Sequence, residues 1–286
     1  MPGLVPGIHV LFLCDAKSWM AGKSPAMTGR IGQRQLALVD LMQARFEGEG
    51  DVIVVTGGAG GIGRALACAA AQAGARVVVC DVDEPAMATL SKVSGILTRR
   101  LDVADRAEVF AGLGEVERRF GKIDGLVCAA AIQPRSPVHA MEAAAWQRVL
   151  RTNLDGVVWC YQAVVPGMIA RRSGSIVAFT SGLAHQGWPG ASAYAASKAA
   201  LVAFAKSAAK EIAQHRVRFN LIAPGVIDTP QYRAANAGAD DAHWRATVGV
   251  GRPEDAVGPL LFLLSDQATM TASIISRDIA YAAQER

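Results

Sequence analysis

At 286 residues, 51% hydrophobic and 19% charged, the chain can hold one large α/β domain or two small ones with a sizeable core. A net charge of +4, with no basic stripe interleaved with aromatics, gives nucleic acid no footing, and no apolar run reaches the length of a membrane span. The five cysteines and five histidines are scattered without metal-ligand spacing, so the expectation is buried free thiols in a reducing, cytoplasmic setting and no metal site.

Residues 1 to about 50 read as a disordered N-terminal extension, because Pro2, Gly3, Pro6, Gly7, Gly22 and Pro25 interrupt every local pattern. The apolar run at 8–14 is short and has no basic residue before it, which argues against a secretory signal. A weak helix is expected over 33–45, and a chain beginning at Met42 is expected to fold and keep its activity.

The domain opens at 51–63 with DVIVVTGGAGGIG. Val52 to Val55 are β-branched and apolar, the pattern of a strand buried on both faces. Glycines crowd the turn, and 62–73 reads as an Ala-rich helix. Strand, glycine turn and helix N-terminus together make an anion site: the backbone can approach a pyrophosphate, and free N–H groups with the helix dipole favour its charge. The spacing Thr56-Gly57-x-x-x-Gly61-Ile62-Gly63 is tighter than the G-x-G-x-x-G fingerprint.

A second strand, 75–80, ends in Asp81, an acid about 20 positions beyond the turn and suited to bonding adenosine ribose hydroxyls. A third strand, 95–101, leads to Asp102-Val103, and 106–120 alternates charged and apolar residues at helical period. The fourth strand, 125–128, runs into Cys128-Ala129-Ala130-Ala131. Within a helical stretch over 143–172 stands Asn153, a poor mid-helix residue unless its amide holds a local distortion and a water. The fifth strand, 175–180, delivers Ser181 at its carboxyl end, where open parallel sheets bind ligands. After a loop at 182–193, Tyr194-Ala-Ala-Ser-Lys198 opens a helix to about 215, with tyrosine and lysine on one face. A sixth strand, 216–222, closes with Pro224-Gly225-Val226-Ile227-Asp228-Thr229. A polar segment, 230–250, precedes a helix ending near 264 and a last strand at 271–278. This alternation predicts a single Rossmann-type doubly wound α/β domain over 51–286, with a seven-stranded parallel sheet flanked by helices.

The glycine spacing, Asn153, Ser181 and the Tyr194–Lys198 pair together resemble the short-chain dehydrogenase/reductase family from 51 to about 278. The resemblance implies an oxidoreductase that transfers a hydride between NAD and a small-molecule alcohol or carbonyl. It makes Tyr194 the general acid/base. Lys198 lowers the tyrosine pKa and bonds the nicotinamide ribose, Ser181 bonds the substrate oxygen, and Asn153 holds a water linking Lys198 to solvent. Cofactor contacts are implied for Thr56, Gly57, Gly61, Ile62, Gly63, Asp81, Asp102, Val103, Ala129, Ala131, Pro224, Gly225 and Ile227, with Thr229 on the carboxamide. Gly60 and Val82 stand where NADP-preferring relatives carry a basic residue, so NAD is expected over NADP. Gln133, Ser181, His185, Gln186 and Trp188, with the segment around Tyr232 and Trp244, are expected to line the substrate pocket. Two departures stand out: Ala129 to Ala131 in place of the family's Asn-Ala-Gly, and Asp278-Ile279-Ala280 in place of Asp-Gly-Gly. Three other readings compete with it: an NAD-binding sensor or pseudoenzyme without turnover, a nucleotide-sugar epimerase and a methyltransferase. The Ala-rich helices near 153–168 and 194–213 carry small apolar residues on more than one face, which predicts a homotetramer, or else a homodimer.

Overall fold

The computed structural model describes residues 48–238 and 242–277. The expected extension with its 33–45 helix and Met42 start, and the Asp278-Ile279-Ala280 departure, lie outside the described residues.

Strand β1 (Val52–Thr56) is buried at all five positions. Alternate residues of its pleat feed two separate cores. Val52 and Val54 face one layer, with Leu113, Val157 and Leu201. Ile53 and Val55 face the other, with Leu66, Leu90 and Leu263. The sheet is therefore covered on both sides, as parallel sheets require.

The chain then alternates: α1 (Gly61–Gln72), β2 (Arg76–Asp81), α2 (Glu84–Leu90), β3 (Ile96–Arg100), α3 (Arg106–Phe120) and β4 (Gly125–Cys128). Next come α4 (Ala143–Leu150), a π turn (Arg151–Asp155), α5 (Gly156–Arg171) and β5 (Gly174–Phe179). They are followed by α6 (Leu183–Gln186), α7 (Ser192–Ile212), β6 (Val217–Ala223) and β7 (Val226–Ile227). Last come α8 (Pro230–Ala235), α9 (Ala242–Thr247), β8 (Val250–Gly251), α10 (Val257–Leu264) and β9 (Ile274–Ser276). Seven strands form one sheet in the order β3-β2-β1-β4-β5-β6-β9. Every pairing in it is parallel. The order reverses between β1 and β4, and a crevice at the carboxyl ends of the strands follows from that reversal.

Local signals explain the element ends. Asp105 caps α3 by accepting from Ala107 N and Glu108 N, and Gly121, at φ 76°, ends it in the left-handed conformation that glycine enters most easily. The helix α2 was not foreseen, although Asp83 caps it and a proline stands in its first turn. The stretch 143–172 is helical but broken by the π turn around Asn153. Segment 182–193, expected as a loop, contains α6 and the start of α7, and 230–250 contains α8 and α9. The last strand is shorter than expected, because only Ile274–Ser276 pair with β6. Cys80, Cys128 and Cys160 are buried free thiols and Cys68 is half-buried.

Candidate active site

A cavity of about 1330 Å³ runs along the carboxyl ends of the strands. At one end stands the glycine turn between β1 and α1. Gly57 has φ +66°, and a Cβ there would lie 2.4 Å from Ala130 N, so β1 and the chain leaving β4 meet only because no side chain intervenes. A Cβ on Gly63 would lie 2.4 Å from Gly57 O, so the first turn of α1 sits directly over the loop. The N-cap Gly60 supplies no side-chain cap and the first turn holds no acid, which leaves N–H donors facing the cavity. This is a cradle for an anion, and it fits a dinucleotide pyrophosphate.

Asp81 stands at the end of β2 with its carboxylate held in place. Oδ2 accepts from Ala59 N at 2.9 Å, and Oδ1 accepts from Val82 N at 2.7 Å and Asp83 N at 3.1 Å. Asp102 and Val103 continue the same wall, with Asp102 Oδ1 accepting from Ala104 N at 2.9 Å. Thr56 is not part of the wall. It is 1% exposed, and its carbonyl accepts from Ala129 N at 3.0 Å, a link between β1 and β4 behind the turn. Ala131 lines the cavity without entering positive φ, so the family's glycine is replaced at no backbone strain.

At the other end lie Ser181, just beyond β5, and Tyr194 and Lys198 on the first turns of α7. Burial raises the Tyr194 pKa, while a hydrogen bond with Ser181 and the charge of Arg135 pull it back. Those two groups oppose the effect of burial, and the net shift is upward. Lys198 Nζ donates to Phe179 O at 2.7 Å and lies 5.7 Å from the centre of the Tyr194 ring. Lys198 is 3% exposed, and burial lowers its own pKa to about 8.

Asn153 is fully buried and does not line the cavity. Its Oδ1 accepts from Ile132 N at 2.8 Å, and its Nδ2 donates to Ile132 O at 2.9 Å and Ser197 Oγ at 3.1 Å. Ser197 in turn donates to Tyr194 O at 2.7 Å. The amide therefore ties the chain after β4 to α7, and the π turn is the distortion that lets it reach both.

Of the expected substrate wall, Gln133, Ser181, Gln186, Trp188, Tyr232 and Trp244 line the cavity, with the Trp188 and Trp244 rings 4.9 Å apart. His185 does not. Leu183 and Gln186 share the inner face of α6 three residues apart, and the helical phase turns exposed His185 outward. Pro224, Gly225, Ile227 and Thr229 form the far wall, and Thr229 Oγ1 also caps α8 by accepting from Tyr232 N at 3.1 Å. Arg135 and Arg277 line the cavity and were not foreseen. Among the described residues no cluster of three His, Cys, Asp or Glu could hold a metal ion, and no helix is long and apolar enough to cross a membrane.

A doubly wound parallel sheet with a glycine anion cradle and a tyrosine beside a buried lysine in one crevice defines a dinucleotide-binding α/β protein of the oxidoreductase kind. Residues 51–240 match the model of the short chain dehydrogenase family, and the chain belongs to that family, whose members use a nicotinamide dinucleotide. It is 36% identical over 238 residues to a 3-oxoacyl-[acyl-carrier-protein] reductase of Thermotoga maritima, covering 80% of this chain and 97% of the relative. It is 37% identical over 240 residues to cis-4-hydroxycyclohexanecarboxylate dehydrogenase of Sinomonas cyclohexanicum, covering 81% and 96%. A crystal structure of a short-chain type dehydrogenase/reductase from Mycobacterium marinum matches with a TM-score of 0.77 at 30% identity, covering 84% of this chain and 98% of that one.

Proposed function

We propose that the protein transfers a hydride between NAD and the alcohol or carbonyl carbon of a small molecule. The observation that carries this reading is the Tyr194 phenol: half-buried on the cavity wall, hydrogen-bonded to Ser181, one helical turn from Lys198, and in the same cavity as the glycine turn. The names of the relatives, a reductase of an oxoacyl group and a dehydrogenase of a hydroxy acid, favour interconversion of carbonyl and alcohol here too.

When bound, the nicotinamide nucleotide supplies the hydride acceptor or donor. Gly57, Gly61, Ile62 and Gly63 would hold its pyrophosphate against the N–H groups of α1. Asp81 would hold the adenosine ribose, and Asp102 and Val103 the adenine edge. Ala129, Ala131, Pro224, Gly225, Ile227 and Thr229 would surround its nicotinamide half. Asp81 favours NAD, since a carboxylate repels a 2′-phosphate.

Tyr194 takes the substrate hydroxyl proton in oxidation and returns it in reduction. A free phenol titrates near about 10 and exchanges that proton poorly at neutral pH, so the stabilising influences of Ser181 and Arg135 matter to the rate. Ser181 also bonds the substrate oxygen and steadies the charge that develops on it. Lys198 keeps a cation one turn away and would bond the nicotinamide ribose. A water relaying protons from Lys198 to solvent would be held by the backbone of the π turn, because the Asn153 amide is committed to Ile132 and Ser197.

The test is a screen of alcohols with purified protein and NAD, following NADH absorbance, repeated with Tyr194→Phe. General acid/base groups contribute roughly 10²–10⁴-fold, so the variant should lose at least that range while still binding NADH. Near-normal turnover by Tyr194→Phe would refute the mechanism.

A further inference from the structure

We infer that Arg135 anchors a carboxylate on the substrate, so that the site takes hydroxy acids and oxo acids in preference to neutral alcohols and ketones. This rests on the hydride-transfer reading and narrows its substrate class.

Arg135 lies on the loop after β4 and lines the cavity shared with Ser181 and Tyr194. Its loop is fixed at the base, since Ser136 N donates to Gly190 O at 2.9 Å, just ahead of α7. The guanidinium is only loosely held. Nε donates to Ala235 O and Nη2 to Asn236 Oδ1, each at 3.3 Å, the long limit for such bonds. Nη1 is buried and has no hydrogen-bond partner. A buried cationic donor without an acceptor is costly, and such groups are normally paired. Among the described residues no carboxylate forms an ion pair with Arg135.

The charge of the surrounding wall points the same way. The acids on the cavity lining, Asp81, Asp83 and Asp102, follow or end β2 and β3, at the adenosine end. The described lining from the β4 loop, the β5 loop, α7 and α8 contains Arg135 and Lys198 and no Asp or Glu. Lys198 is directed to Phe179 O, and of the other lining cations Arg277 pairs with Asp255 and Arg148 belongs to α4, so on these elements Arg135 is the cation left to meet a ligand. Its charge already acts on the Tyr194 phenol, which puts it within electrostatic reach of the reacting oxygen. A carboxylate arriving between Arg135 and the end of α8 can draw the guanidinium off its two long contacts, taking the place of Ala235 O and Asn236 Oδ1 and giving Nη1 an acceptor. Arginine suits this, because its planar fork matches a carboxylate bidentately.

The experiment compares hydroxycarboxylates, with the hydroxyl two, three or four positions from the carboxyl, each against its own primary amide. The wild type should favour the acid in kcat/KM for the best pair by roughly 10- to 100-fold, mostly through KM, as expected for a charged hydrogen bond. Arg135→Gln should bring that ratio toward one, and Arg135→Lys should keep part of it. Equal or amide-favouring ratios in the wild type, or an acid preference that survives Arg135→Gln, would overturn the assignment. A binding measurement frees the test from turnover and from any variant that fails to fold. Straight-chain carboxylates from butyrate to octanoate, and their primary amides, are titrated into the wild-type protein with NADH, and Trp188 and Trp244 report through their fluorescence. Tighter binding of carboxylates supports the anchor, and equal or weaker binding overturns it. Carboxylate binding without turnover of any alcohol would count against the hydride-transfer reading alone.

Discussion

Lys198→Met should make the protein more stable at neutral pH while disabling it. The lysine is 3% exposed, its pKa is lowered from 10.5 to about 8, and burial is the first cause. A group that is more basic unfolded than folded binds more protons in the unfolded state, so folding is penalised wherever the folded protein must carry the charge. The penalty is present in full below pH 8 and is relieved as pH rises toward 10.5. At 1.36 kcal/mol per unit, the gap corresponds to about 3 kcal/mol at pH 7. Methionine removes that penalty but forfeits the bond to Phe179 O, at about 1 kcal/mol, leaving a gain of about 2 kcal/mol. For a chain of this size that is roughly 4–8 °C in Tm. Near pH 10 most of the penalty has gone in the parent, so the advantage should vanish or reverse. The assay is thermal unfolding of nucleotide-free protein at a series of pH values, parent beside variant. A variant that melts below the parent at pH 7, with a gap that does not change between pH 8 and 10, would refute the reasoning.

Asn153→Ala should strip partners from Ile132 N and O, costing about 2–4 kcal/mol and roughly 5–15 °C in Tm; melting within a degree of the parent would contradict this. Asp81→Ala should narrow the preference for NAD over NADP, measured as a ratio of kcat/KM, and equal kinetics in the unmutated enzyme would show the assignment to be wrong. Light scattering at micromolar concentration should give a homotetramer, with a dimer as the second choice, and a monomer would count against packing through α5 and α7.

What was legible in the sequence was whatever depends on short-range pattern. The boundaries of α3 and β4 were read to the residue, because charge alternation with a cap at Asp105 and an apolar run after Asp124 are local signals. The Tyr194–Lys198 spacing likewise survives as one helix face. Misreadings fall where a neighbour decides. The seven-residue α2 is too short to display a period, although its Asp83 cap was there to be read. His185 and Gln186 were indistinguishable until α6 set their phase. Thr56 looks like turn wall in one dimension, yet the β4 pairing buries it. The reach of Arg135 depends on the Gly190 contact and on α8, neither of them near it in sequence.

The stability cost at Lys198 and the unpartnered Nη1 of Arg135 share one cause. A folded core minimises buried unpaired charge, yet this cavity concentrates it. The N–H groups of α1 carry no side-chain cap, Lys198 has a carbonyl rather than a carboxylate for company, and Arg135 keeps Nη1 without an acceptor. All three are electropositive, and they stand along one crevice from the glycine turn to the substrate wall. The acids present, Asp81 above all, are held by backbone N–H groups and neutralise none of them. Such an arrangement is unfavourable alone and becomes favourable with anionic ligands in place, so nucleotide and substrate should stabilise the fold as well as react in it. The Lys198 penalty is then one part of a positive field that the domain maintains for binding.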